Sequence, residues 1–258
     1  MKSLIIANWK CNPITLKEAK QLFGSVRKGL RNVRRAEVVI CPPFVYLSNL
    51  VEFFSKDRKS QTGLKLGAQD CFWEEKGAFT GEISTVMLKN LGCEYVIIGH
   101  SERRRIFQET DEMVNKKLKA VIKTGLKPIL CIGETQEQKE KGKIGAVFKR
   151  QIKSALAKIP RSKIKNSGLC IAYEPVWAIG SGSPCGIDQA MSAKLLIQKI
   201  LISFLGKPVT GKISILYGGS VTSKNAKNFI GGAGMNGLLI GGASLNPQEF
   251  IKIVNTIS

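Results

Sequence analysis

Eight short apolar runs, separated mostly by stretches with helical spacing, set the narrowest limit on what this chain can become. They are LIIAN (4–8), EVVIC (37–41), LKLGAQ (64–69), YVIIGH (95–100), PILCIG (128–133), LCIAYE (169–174), ISILYG (213–218) and LLIGG (238–242). Most are apolar at odd and even positions alike. A strand buried on both faces reads this way, which fits a parallel sheet covered by helices. Parallel neighbours need a crossover of a dozen or more residues, usually helical. The intervening segments supply it. Thr15 and Glu18 form a capping-box pattern ahead of an apolar stripe at Leu16, Ala19, Leu22, Phe23, Val26 and Leu30. Helical patterns also fit roughly 111–124, 144–158, 188–205, 222–230 and 247–256. Eight such units predict an α/β fold, a closed (β/α)8 barrel, with a single domain over 1–258. The alternative is a doubly wound sheet, but no G-x-G-x-x-G follows the first run. No linker rich in Pro, Gly or Ser divides the chain.

A length of 258 residues suits one such barrel. The opening apolar run is about five residues, interrupted by Asn8-Trp9-Lys10, so no signal peptide is expected. No run approaches the roughly 20 residues of a membrane helix. Seven scattered cysteines, odd in number and without C-x-x-C, favour reduced thiols in a cytoplasm over disulfides or a zinc site. The net charge of +21 is unusual. From Lys141 onward 16 basic residues face 3 acidic ones, a difference of +13, and 149–165 holds seven cations and no acid. Such a coat is either a solvated surface or an attraction for polyanions, nonspecific nucleic-acid contact included.

In a barrel the chemistry sits where strands end and loops begin. Polar residues at those exits are Asn8, Lys10, Gln69, His100 with Ser101 and Glu102, Glu134, Glu174 and Ser220. Glu174 precedes Pro175, which favours an extended backbone and a projecting side chain. It either caps or salt-bridges, or acts as a base. The apolar VWAIG after it is odd for a surface loop unless the loop closes as a lid, and excluding water makes a carboxylate a better base. His100 is the only histidine. If a helix starts at Ser101, the positive helix end and Arg103–Arg105 favour a neutral imidazole, able to donate a hydrogen bond to a carbonyl becoming an enolate. Lys10 is either a solvated cation or a fixed charge for an anion. Gly218-Gly219 and Gly241-Gly242 expose backbone amides after the last two runs, where barrels often bind phosphate. Together these suit proton transfer beside a carbonyl in a small phosphorylated sugar. No redox-cofactor or metal cluster is visible. A lyase working through a Schiff base would need a lysine inside the barrel, for which Lys65 is the main candidate.

ANWKCN, GAQD, GAFTGEIS, VIIGHSERR, LCIGE, AYEPVWAIGSG, YGGSV and GLLIGGASL, in this order from residue 7 to residue 245, resemble the motifs of the triosephosphate isomerase family. The resemblance implies a (β/α)8 TIM barrel and cofactor-free interconversion of dihydroxyacetone phosphate and D-glyceraldehyde 3-phosphate through an enediolate, in glycolysis and gluconeogenesis. It implies that Glu174 moves the carbon proton, that His100 polarises the carbonyl, and that Lys10 and Asn8 face the enediolate. Glu102 would hold Lys10 or handle protons, and the amides of Gly180, Ser220, Gly241 and Gly242 would bind phosphate. It further implies a cytoplasmic homodimer, with Thr80, Glu82, Arg103 and Glu109 in the interface. Several positions depart from the family pattern. Asp70 and Asn236 replace the usual Asn and Asp, and Gln108 stands where glycine is common. Ser181 replaces threonine, and Ser183-Pro184-Cys185 forms an unusual lid hinge whose proline would restrict it.

Overall fold

All eight apolar runs are strands in a computed structural model that describes residues 2–31, 33–55, 64–179 and 185–257. They are β1 (Ser3–Asn8), β2 (Ala36–Cys41), β3 (Leu64–Ala68), β4 (Tyr95–Ile98), β5 (Lys127–Ile132), β6 (Cys170–Tyr173), β7 (Ser214–Tyr217) and β8 (Gly237–Ile240). Neighbours pair in parallel throughout. β8 returns to β1 with Ile5 opposite Leu238 and Ile6 opposite Leu239, so the sheet closes and the doubly wound alternative falls.

The two apolar faces have separate destinations. Leu4, Ile6, Val39, Cys41, Ile97 and Ile129 belong to the cluster that fills the barrel. Ile5, Ala7, Val38, Ile40, Val96 and Leu130 belong to the larger core beneath the helices. That division follows from the two-residue period of a strand.

The helices are α1 (Leu16–Gly29), α2 (Phe44–Ser55), α3 (Thr85–Asn90), α4 (Ser101–Ile106), α5 (Asp111–Lys123), α6 (Gln136–Glu140), α7 (Ile144–Ala155), α8 (Arg161–Asn166), α9 (Ile187–Leu205), α10 (Lys207–Thr210) and α11 (Pro247–Thr256). The Thr15–Glu18 box forms, each residue's amide donating to the other's side chain at 3.2 Å. Two helical expectations overran. α7 stops at Ala155, and Lys158 turns left-handed at φ 58°. The stretch 222–230 begins as a turn, because Thr222 N–H donates to Asn225 Oδ1 and Ser223 N–H donates to Glu249 Oε1. It then ends in a wide helical turn, Asn228–Gly232.

Lys65, the candidate for Schiff-base chemistry, lies near the start of β3. Its Nζ is held by Glu94 at 2.7 Å and Glu37 at 3.2 Å. This ion-pair group lies at the end of the barrel away from the strand exits, and the two carboxylates outweigh burial and raise the Lys65 pKa, which keeps the amine protonated.

Candidate active site

A cavity of about 280 Å³ opens at the C-terminal ends of the strands. Asn8, Lys10, His100 and Glu174 supply polar side chains to its lining, and segments 219–221 and 241–243 supply backbone. The strand exits of β1, β4, β6, β7 and β8 thus converge, as the barrel filter expects.

Lys10 adopts φ 55°, a left-handed conformation that costs a non-glycine residue about 1–2 kcal/mol. Neighbouring groups hold it there. Its N–H donates to Asn8 Oδ1 at 3.0 Å, and Gln69 Nε2 donates to its carbonyl at 2.8 Å and to that of Cys41 at 2.9 Å. The ammonium then reaches Glu102 Oε1 at 2.5 Å. Gln69, noted above only as a strand-exit residue, is what positions the Lys10 backbone.

His100 caps α4. Glu102 N–H donates to its Nδ1 at 3.2 Å, which assigns the ring proton to Nε2. Nε2 stands 3.1 Å from Glu174 Oε1. The helix start is present as expected, but the arginines do not act on the imidazole as expected. Arg103 Nε lies 2.8 Å from both Asp70 Oδ2 and Glu109 Oε2. Arg104 pairs with Asp111 at 2.6 Å and donates to Gly99 O. Their charge is neutralised away from the ring. Arg105 is exposed, and nothing in the structure explains it.

Glu174 is 2% exposed. Its Oε2 accepts from Ser101 N–H at 3.0 Å. Its Oε1 is buried with no aligned hydrogen bond, since the His100 approach is close but off-axis. Space for the residue comes from glycines. A Cβ on Gly133 would lie 1.7 Å from the Glu174 carbonyl oxygen, and one on Gly218 would lie 2.9 Å from Glu174 Cγ. Burial, and then the adjacent Glu174 carboxylate, push the Cys131 thiol far above its ordinary range, so it stays protonated beside that carboxylate.

The apolar segment after Glu174 is anchored. Trp177 Nε1 donates to Glu134 Oε1 at 2.9 Å, which also accepts from Tyr173 OH at 3.1 Å. Ser220 Oγ donates to Ala178 O at 2.8 Å, and Cys185 N–H donates to Tyr217 OH at 3.2 Å. Both sides of the 180–184 segment are therefore tied to the end of β7. Gly180, expected at the phosphate, lies outside the described residues, as do Ser181, Ser183 and Pro184.

Of the expected interface residues, Thr80 and Glu82 are exposed on the loop between β3 and α3. Glu109 is not at the surface: it is 4% exposed, and Lys117 Nζ reaches it at 2.8 Å. The same ammonium donates to both oxygens of Asp70, at 2.7 and 2.8 Å. Lys117 was missed by sequence reading, although a lysine three residues after Val114 and one before Leu118 sits on the apolar stripe of α5. Asn236 takes an acceptor's place, its Oδ1 receiving Ile215 N–H at 2.9 Å.

A parallel eight-stranded barrel with a carboxylate, an imidazole and an ammonium at its strand exits defines a (β/α)8 barrel of the enzyme type, in which that end carries the chemistry. A triosephosphate isomerase family model matches residues 3–257. The chain is 46% identical over 254 residues to a triosephosphate isomerase of Aquifex aeolicus, covering 98% of this chain and 99% of the relative. It is 43% identical over 255 residues to that of Dictyoglomus turgidum, covering 99% of each. A crystal structure of triosephosphate isomerase from Bartonella henselae superposes with a TM-score of 0.86 at 34% identity, covering 99% of both chains. The chain belongs to the triosephosphate isomerase family.

Proposed function

We propose that this protein, as one barrel unit over the whole chain, interconverts dihydroxyacetone phosphate and D-glyceraldehyde 3-phosphate without a cofactor. The observation that carries the reading is Glu174: a buried carboxylate with one oxygen free of aligned donors, beside an imidazole that presents Nε2–H. Glu174 takes the proton from the carbon next to the substrate carbonyl and returns it to the neighbouring carbon. His100 donates from Nε2 to the oxygen on which charge develops, and the Lys10 ammonium and Asn8 face the enediolate. Glu102 holds Lys10 and, through its amide, the His100 tautomer. The amides of Ser220, Gly241 and Gly242, with Gly180, receive the phosphate. Preorganised donors of this kind are each worth about 2.7–4 kcal/mol in the transition state.

The reading includes a cytoplasmic homodimer. Exposed Ile14, Val45, Phe79, Met87, Ile106 and Phe107 follow β1, β2, β3 and β4, so they gather on one side of the barrel. Exposed apolar side chains grouped on one side of a barrel fit an interaction surface. Thr80 and Glu82 stand among these residues. Arg103 stacks 5.1 Å over the Phe107 ring, and Glu109 contributes by fixing Arg103 from inside.

The test is turnover of glyceraldehyde 3-phosphate by the purified protein, with exchange of the substrate's carbon-bound hydrogen into deuterated water. Glu174→Gln is expected to abolish both. Full exchange by that variant would remove the assigned base. Sedimentation of the wild type should give twice the chain mass.

A further inference from the structure

The excess charge is not spread evenly over the folded surface. Among the described residues, no ion pair uses a cation beyond Arg150 in the sequence. Some of these cations, Lys224, Lys227 and Lys252 among them, lie elsewhere, but one group stands close together. α7 packs on α9, α9 on α10, and α10 on α8. Lys153, Lys158, Lys163, Lys165, Lys207 and Lys212 are exposed on these helices and on the turns that follow them. Two cations mark how the patch closes around the end of α9: Arg161 Nη2 donates to Phe204 O at 3.0 Å, and Lys153 Nζ lies 5.8 Å over the Phe204 ring. The segments 156–169 and 206–213 lead into β6 and β7, so the patch sits at the N-terminal end of the barrel. The substrate cavity is at the other end.

That position separates the patch from catalysis. Strands rise about 3.3 Å per residue, so four to six residues put roughly 13–20 Å between the two ends. Exposed charges are screened beyond about 8–10 Å at physiological salt. The patch therefore does little to steer a triose phosphate. It also lies around β5 to β7, away from the exposed apolar residues that follow β1 to β4, and remains open when a second copy covers those.

We propose that this face is a docking surface for the phosphate backbone of a nucleic-acid duplex. Crowded like charges repel one another, and a regular polyanion relieves that repulsion while releasing its own counterions. An anionic bilayer would be held by charge together with inserted apolar side chains. Among the described residues Ile202, on the last turns of α9, is the one exposed large apolar side chain at the patch, and α7, α8 and α10 carry none, which is too little for insertion into a bilayer. Nor is there an exposed aromatic platform here for unstacked bases, as a single strand would use. What remains is a sequence-independent contact with a phosphate ladder.

The test is fluorescence anisotropy of a short mixed-sequence DNA duplex titrated with the intact protein at several salt concentrations. Engagement of about four lysines predicts a log–log salt slope of about −3.6. The triple variant Lys153→Gln/Lys163→Gln/Lys165→Gln is expected to flatten that slope by roughly 0.9 per cation removed and to weaken binding at least tenfold at low salt, with kcat/KM unchanged. A control triple on the far side, Lys17→Gln/Lys28→Gln/Lys252→Gln, should bind as the wild type does. Equal weakening by both triples would overturn the proposal, as would binding to anionic vesicles without binding to the duplex, or no duplex binding at low salt.

Discussion

Glu174 Oε1 stands 3.1 Å from His100 Nε2, although the residues are 74 positions apart in sequence. Barrel closure brings them together. Glu174 is the first residue past β6 and His100 the second past β4, so only β5 lies between them. A proton can leave a carbon and reach an oxygen within one small site, with each group fixed before substrate arrives.

Replacing His100 with glutamine keeps a donor near the oxygen but loses the ring that Glu102 N–H holds in a single tautomer. A positioned acid–base group typically contributes about 10²–10⁴-fold. Steady-state kinetics in both directions should show kcat lower by that order with little change in KM. An unchanged kcat would exclude His100 from proton handling.

Gln69 spans the Lys10 and Cys41 carbonyls with one amide and holds a left-handed residue in place. Gln69→Leu removes both bonds; the Cys41 carbonyl keeps the Trp9 N–H at 3.1 Å, while the Lys10 carbonyl loses its donor. Lys10 then relaxes toward an ordinary φ and its ammonium leaves Glu102. The expected loss in kcat/KM is roughly tenfold or more, about 1.4 kcal/mol per decade. The helical circular dichroism should not change. Loss of fold with full specific activity in the remaining native fraction would show that Gln69 is structural only.

Gln108 takes φ 56° at the turn between α4 and α5, where the family commonly has glycine. Glycine reaches that conformation without the Cβ penalty of about 1–2 kcal/mol, offset by about 0.5–1 kcal/mol of extra unfolded-state entropy. The Gln108 side chain returns one exposed bond to Arg105 O at 3.1 Å. Gln108→Gly should therefore stabilise the protein by roughly 0.5–1 kcal/mol, read as a higher denaturant midpoint at constant slope. A lower midpoint would mean that the Arg105 bond outweighs the backbone strain.

Strand number, barrel closure and the site-bearing strand ends were legible because burial on two faces and crossover length act locally on sequence. Strand-exit position picked out Asn8, Lys10, His100 and Glu174, along with Gln69, Ser101, Glu102, Glu134 and Ser220. The charge directions were not legible. Arg103 and Arg104 read as neighbours of His100, yet their long side chains reach Asp70, Glu109 and Asp111, and only the folded packing of α4 on α5 decides that. Gln69 escaped a role for the same reason: its partners come from two other strands. Helix ends near 158 and 222 depended on side-chain capping and a left-handed residue, which spacing does not encode.

At Asp70 burial works against two cations. Its carboxylate lies between Lys117 and Arg103, yet loss of water, with Glu109 close by, pushes its pKa up to about 6. Glu109 moves the other way, since burial is outweighed by Lys117 and Arg103. A carboxyl that titrates near 6 when folded and near 4 when unfolded binds its proton more tightly in the native state. Its contribution to stability is thus complete below about pH 4 and is lost as pH rises through about 6. Across that window it amounts to at most about 3 kcal/mol, at 1.36 kcal/mol per unit. Asparagine, the family's usual residue, cannot ionise and keeps an acceptor for Lys117. Asp70→Asn should therefore gain stability over the wild type as pH rises from about 4 to about 6, and keep that advantage above pH 6. Chemical denaturation across that range measures it. A stability difference that stays flat with pH would place the Asp70 titration at its ordinary value and remove the cost assigned to its burial.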